Sequence, residues 1–174
     1  MPNIAIPTPD GSFFGLKFHQ VAIYHKDPEL AVEFWSDAGY NDWHADTAVL
    51  VGTEFGEESK KTARMYFNYD IMPLELEYVR YGSHSRNSQD LRNGEPPFLS
   101  HYSTYVEDVE YEVDRIQFQL SMEPYHRFVT QDHTNPGVVG VKRFKEAIYP
   151  TTRFLGHDVK LIQRVPWDYV SNGV

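Results

Sequence analysis

The chain has 174 residues, 41% of them hydrophobic and 24% charged, and contains no cysteine. That length suits one domain with a sizeable core or two small modules packed together, and the composition argues against disorder. A formal net charge of −9 disfavours sequence-independent nucleic-acid binding, which needs a basic surface. The lack of cysteine excludes disulfides, thiolate metal sites and a cysteine nucleophile.

Residues 1–15 read as an irregular arm without the basic head and apolar run of a secretory signal. No apolar stretch approaches the roughly 18 residues of a membrane span, so the expectation is a cytoplasmic protein with no membrane partner. From Lys17 to Tyr24, alternation puts Lys17, His19, Val21 and Ile23 on one face and Phe18, Gln20, Ala22 and Tyr24 on the other. Both faces are largely apolar, which predicts a strand covered on both sides. Asp27 suits an N-cap and Pro28 a first helical position. Leu30, Ala31, Phe34, Trp35 and Ala38 then repeat at helical spacing until Gly39. Strands are expected at Thr47–Val51 and Ala63–Tyr69, with a hairpin loop between them, and at Leu74–Tyr81.

Residues 82–98 are polar and carry Gly and Pro, the composition of a linker. A second histidine-headed run, Leu99–Val106, leads to the cap Asp108 and a helix on which Val109, Val113, Ile116 and Leu120 recur at spacings of four, three and four. Strands at Tyr125–Thr130 and Lys142–Ile148 flank a turn at Asn135-Pro136-Gly137, and a final strand begins at Asp158. His19 and His101 are 82 positions apart, Asp27 and Asp108 81, and Glu77 and Lys160 83. A near-constant offset across strand, helix and last strand predicts one βαβββ unit written twice. The resulting divisions are an arm (1–15), a first module (16–81), a linker (82–98), a second module (99–165) and a tail (166–174). P-loop, Rossmann, nucleophile-elbow and H-E-x-x-H motifs are absent from the sequence.

Three stretches resemble the vicinal oxygen chelate superfamily, the glyoxalase, bleomycin-resistance and extradiol-dioxygenase group. They are Phe18–Ile23 running into Asp27–Trp35, its repeat from His101 to Val109, and the closing strand Gly156–Gln163. The resemblance implies an α+β fold in which two tandem βαβββ modules form a U-shaped mixed sheet around a central cup, with helices outside. It also implies a metal site whose four ligand positions map to His19, Glu77, His101 and Lys160, with Glu75 as the substitute for Glu77 on the same face. Lys160 departs from the family's usual glutamate, because a protonated lysine cannot ligate and repels a cation. The expected metal set is therefore His19, Glu77 and His101, holding one divalent ion (Fe, Mn, Ni, Co or Zn) with positions open for a chelating small-molecule substrate. Such a site serves a dioxygenase or a glyoxalase-like lyase or isomerase, with Glu77 and Lys160 as catalytic groups, and a homodimer is compatible with the family.

In the competing expectation, Lys160 pairs with Glu77 and the two replace the metal, giving a metal-free binding protein. His126, His133 and His157 lack ligand spacing and read as loop or surface residues. Asp158 shares the face of Lys160, and Tyr105, Tyr125 and Phe128 are candidate cup-lining aromatics.

Overall fold

A computed structural model describes residues 12–13, 15–82, 96–133 and 143–165. The turn at Asn135-Pro136-Gly137, the His133 side chain and most of the linker lie outside the described residues. The elements are β1 (Ser12–Phe13), β2 (Leu16–Lys17), β3 (Gln20–Tyr24), α1 (Pro28–Asp37), β4 (His44–Glu54), β5 (Glu57–Asn68), β6 (Glu75–Tyr81), β7 (Phe98–Tyr105), α2 (Val109–Leu120), β8 (His126–His133), β9 (Arg143–Tyr149), α3 (Thr152–Leu155) and β10 (Asp158–Val165).

β1 and β2 form a separate two-stranded ribbon, and the other eight strands close into a barrel in the order β10-β7-β3-β6-β5-β4-β8-β9. The pairs β3/β6 and β7/β10 are parallel and the remainder antiparallel. The sheet is thus mixed, as expected, but it closes where a U was expected. The reason lies in β4 and β5, which are longer than their apolar patterns suggested. The stretch read as a hairpin loop is strand nearly throughout, and the hairpin turns at Phe55 and Gly56, both with positive φ. The extended β4 pairs with β8 from Ala48 to Glu54 and joins the two ends of the sheet.

Both predicted helices form. Pro28 opens α1, but Asp27 does not cap it with its side chain. Its backbone N–H donates to His25 Nδ1 instead. Asp108 caps α2 by accepting from the amides of Glu110 and Tyr111. Val109, Val113 and Ile116 are buried against Ala147, Val159 and Leu161, about 1.5–3 kcal/mol for each large side chain removed from water.

Alternation divides the barrel strands. Val21, Leu76 and Tyr78 pack with Ala31, Val32 and Trp35 of α1. Ala22, Tyr24, Val79 and Tyr81 turn the other way and pack with Leu50, Met65 and Phe128. That second face also carries the charged residues described next.

Candidate functional site: a buried ion-pair ladder and the barrel mouth

Glu75 and Glu77 lie on the face of β6 opposite Leu76 and Tyr78, and both are buried. In register, Glu77 is opposite Ala22, and Ala22 is opposite His101 of β7. The small alanine leaves the space that the two larger polar side chains occupy. Ser100 is the extra residue of a bulge, because Ile23 is next opposite Leu99. His101 is fully buried, with Nδ1 at 2.7 Å from Ser100 Oγ and Nε2 at 3.6 Å from Glu77 Oε2.

Lys160 of β10 reaches the same oxygen at 3.8 Å and Glu146 Oε2 of β9 at 3.6 Å. Its side chain is only 5% exposed and those of Glu77 and Glu146 are 1% and 7%, so solvent screens these contacts little. Glu146 Oε1 accepts from His126 Nε2 at 2.7 Å. His126 Nδ1 lies 3.1 Å from Lys61 Nζ, which donates to Glu54 Oε1 at 3.0 Å. An ammonium can only donate, so Nδ1 accepts and the neutral ring keeps its proton on Nε2. The result is a continuous buried ladder: His101, Glu77, Lys160, Glu146, His126, Lys61, Glu54.

The charges shift one another. Burial pushes Glu77 up, but Lys160 and then His101 outweigh it and hold its carboxyl below the ordinary range. Glu146 behaves alike, with Lys160 and His126 overcoming burial. Lys160 is raised, since Glu77, Glu146 and Glu75 together exceed its desolvation. Lys61 is lowered, because burial outruns the attraction of Glu54. The two lysines differ because Lys160 has two carboxylates at close range and Lys61 one. His101 is lowered by burial and by Lys160, so its imidazole is neutral near pH 7.

The expected site residues are only partly gathered. Glu77, His101 and Lys160 come together. His19 does not join them; it is exposed, and its Nδ1 accepts from the Tyr105 backbone N–H at 3.3 Å. By period two, His19 shares the face of Val21 and Ile23, which α1 covers, while Gln20 turns inward. Among the described residues, no group of three or more His, Asp or Glu is placed to hold a metal ion. Asp158 is already engaged, accepting from Thr152 and Tyr125. His126, expected on a loop or the surface, is a buried member of the ladder. The sequence signal for it, as for Lys61 and Glu146, is a charged or polar residue on an otherwise apolar strand face, a placement that demands a partner.

A second polar group sits at one end of the barrel. Glu75 accepts from Gln20 Nε2 at 2.5 Å and from the Tyr105 hydroxyl at 3.3 Å, and Gln20 Oε1 accepts from Ser103 Oγ at 2.6 Å. Burial, then Glu77, raises Glu75 against the hydrogen bonds of Gln20, Tyr69 and Tyr105. Burial and Glu75 push Tyr105 up to about 12. Arg164, exposed, lies 4.9 Å over the Tyr105 ring and 3.4 Å from its hydroxyl.

No protein-family model and no curated protein sequence matches the chain. Solved structures do. A methylmalonyl-CoA epimerase from Mycobacterium tuberculosis is similar with a TM-score of 0.55 and 15% identity, over 86% of this chain and 88% of that one. A Streptomyces coelicolor methylmalonyl-CoA epimerase variant in complex with 2-nitronate-propionyl-CoA is similar at TM-score 0.53 and 14% identity, over 86% and 95%. A 4-hydroxymandelate synthase mutant from Streptomyces coelicolor aligns at TM-score 0.51 and 13% identity, over 95% of this chain and 53% of that one. Both kinds of enzyme belong to the vicinal oxygen chelate superfamily. At these identities the likeness is one of fold.

Proposed function

We propose that this chain is a small-molecule-binding protein of the vicinal oxygen chelate fold in which buried lysine ion pairs stand in place of a metal. The observation that carries this reading is Lys160, whose ammonium lies between Glu77 and Glu146 at 3.8 and 3.6 Å with almost no exposure. A cation bound by Glu77 would meet that ammonium across one shared oxygen, and like charges so close in a poorly screened site repel strongly. The residues present therefore do not fit a divalent ion: two donors converge, His19 is turned elsewhere, and the fourth position is itself a cation.

The small-molecule part rests on the fold and on the complex named above, which holds a CoA ligand in a protein of this architecture. The two-module reading belongs to the same proposal. The order β3-α1-β4-β5-β6 recurs as β7-α2-β8-β9-β10 with α3 inserted, and each helix packs on the strand face opposite the ladder.

A second reading, a metal-dependent enzyme of the glyoxalase or dioxygenase type, is favoured by one observation. Glu77 Oε2 and His101 Nε2 are buried without a hydrogen-bond partner and face each other. Metal analysis of protein purified without chelator, then supplied with Fe(II), Mn(II), Ni(II), Co(II) or Zn(II), separates the two. The expected result is substoichiometric metal in the natural chain and a gain of metal affinity in Lys160→Glu. One tightly held equivalent in the natural chain, lost in Glu77→Gln, would establish the second reading.

A further inference from the structure

The ladder groups are engaged with one another inside the barrel, and the end of the barrel around Tyr105 has donors that could hold a ligand. Three observations bear on it. First, Arg164 is exposed and, among the described residues, no carboxylate lies within ion-pairing distance of it; its contacts are the hydroxyl of Tyr105 and the rings of Tyr105 and Phe144, 4.9 and 6.0 Å from its guanidinium carbon. A guanidinium laid over aromatic rings keeps its in-plane N–H fork available for a carboxylate.

Second, the His19 ring lies against the ring of Tyr105 itself, with centroids 5.7 Å apart. Because Nδ1 accepts the Tyr105 backbone N–H, Nε2 carries the proton of the neutral ring and is a fixed donor. Third, Glu75, the carboxylate that would repel an anion here, is buried and bonded to Gln20 and Tyr105. Its oxygens are occupied by those donors, and its remaining pull on Arg164 holds the guanidinium in place.

We propose that this end of the barrel is a binding site for a small organic carboxylate, with Arg164 as the anchor of the anionic group and His19 as a second donor, both set in place by Tyr105. The inference rests on the metal-free small-molecule reading above and gives it a site and a ligand class. The complementary chemistry is a carboxylate on a compact, preferably planar body able to lie beside the aromatic rings.

The probe is benzoate, with neutral benzamide as its uncharged counterpart, followed by amide chemical shifts and calorimetry at low salt. Benzoate is expected to bind with a dissociation constant on the order of 1 mM and to shift the amides of His19, Tyr105 and Arg164, while benzamide binds weaker by about tenfold or more. Arg164→Gln should abolish the difference between the two probes and His19→Ala should reduce it. Arg80→Gln, which removes an exposed arginine that donates to the Lys26 carbonyl, should leave it unchanged. Benzoate binding that survives Arg164→Gln, responds equally to Arg80→Gln, or fails to appear overturns the proposal. Bound metal in the barrel together with Arg164-dependent benzoate binding would remove the metal-free reading and keep this site. An empty barrel without benzoate binding would do the reverse.

Discussion

Lys160 shows how one residue decides the character of the barrel. As a chemical type it is legible as a departure from a ligand set; its neighbours are not, because Glu146 comes from a strand that sequence alone does not place beside it. Removing Lys160 leaves Glu77 and Glu146 buried without their cation. Lys160→Met is therefore expected to cost about 3–5 kcal/mol, read as a lower urea midpoint at unchanged slope. Adding Glu77→Gln and Glu146→Gln to that variant should recover much of the loss, since no uncompensated charge then stays inside. A Lys160→Met protein as stable as the natural chain would mean that these contacts do not form in solution. His19 teaches the opposite lesson: its type suggests a ligand, and its place just ahead of β3 leaves it exposed against Tyr105, away from the ladder.

At the scale of elements, the helices are readable because their faces are written at a period of 3.6 and their starts by Asp-Pro and Asp-Val. The long hairpin β4–β5 is not, because polar residues from Glu57 to Lys60 hide a strand end that is held by pairing with β4 rather than by burial. Gly52 marks where that pairing is tightest. A Cβ placed there would stand 1.9 Å from the Arg127 carbonyl oxygen and 2.7 Å from the Phe128 Cα, both backbone atoms of β8. Gly52→Ala must push β4 and β8 apart at the seam that closes the barrel. The expected loss is at least about 1–3 kcal/mol, with faster hydrogen exchange at Val129 and Thr130. Unchanged exchange there would show that the seam tolerates the shift.

For the whole molecule, the buried ladder ties stability to pH. Glu77 and Glu146 lie below their ordinary value of 4.5 in the folded state. Their contribution is complete above that value and is lost as pH falls through the lower folded values. His101 lies below 6.5 when folded, so it too stabilises the neutral range, and its contribution starts to fall as pH drops below 6.5. Lys160 is raised above 10.5; its contribution is complete below that and is lost as pH climbs through the folded value. Urea midpoints across pH should decline below about pH 6.5 and drop more steeply below about 4.5. Raised Glu75 offsets part of the acid loss, and lowered Lys61 adds stability as pH rises toward 10.5. In His101→Gln the first decline should shrink to what His25, also lowered by burial, contributes, while the second remains. A flat profile from pH 6.5 to 4.5 in the natural chain would remove His101 from this account.

The sequence by itself determined the two long helices, most of the strands, the near-constant offset between halves and a resemblance to the superfamily of its structural neighbours, and that resemblance put Glu77, His101 and Lys160 in one expected set. Local periodicity and short motifs carry that information, and both survive reading along the chain. Only the tertiary structure decided that the sheet closes, that His19 faces out while Gln20 faces in, and that His126, Lys61, Glu146 and Glu54 extend the ladder across the barrel. Those outcomes depend on register between strands distant in sequence, where a shift of one residue exchanges the two faces and the charge a buried group must meet comes from a partner its own segment never mentions.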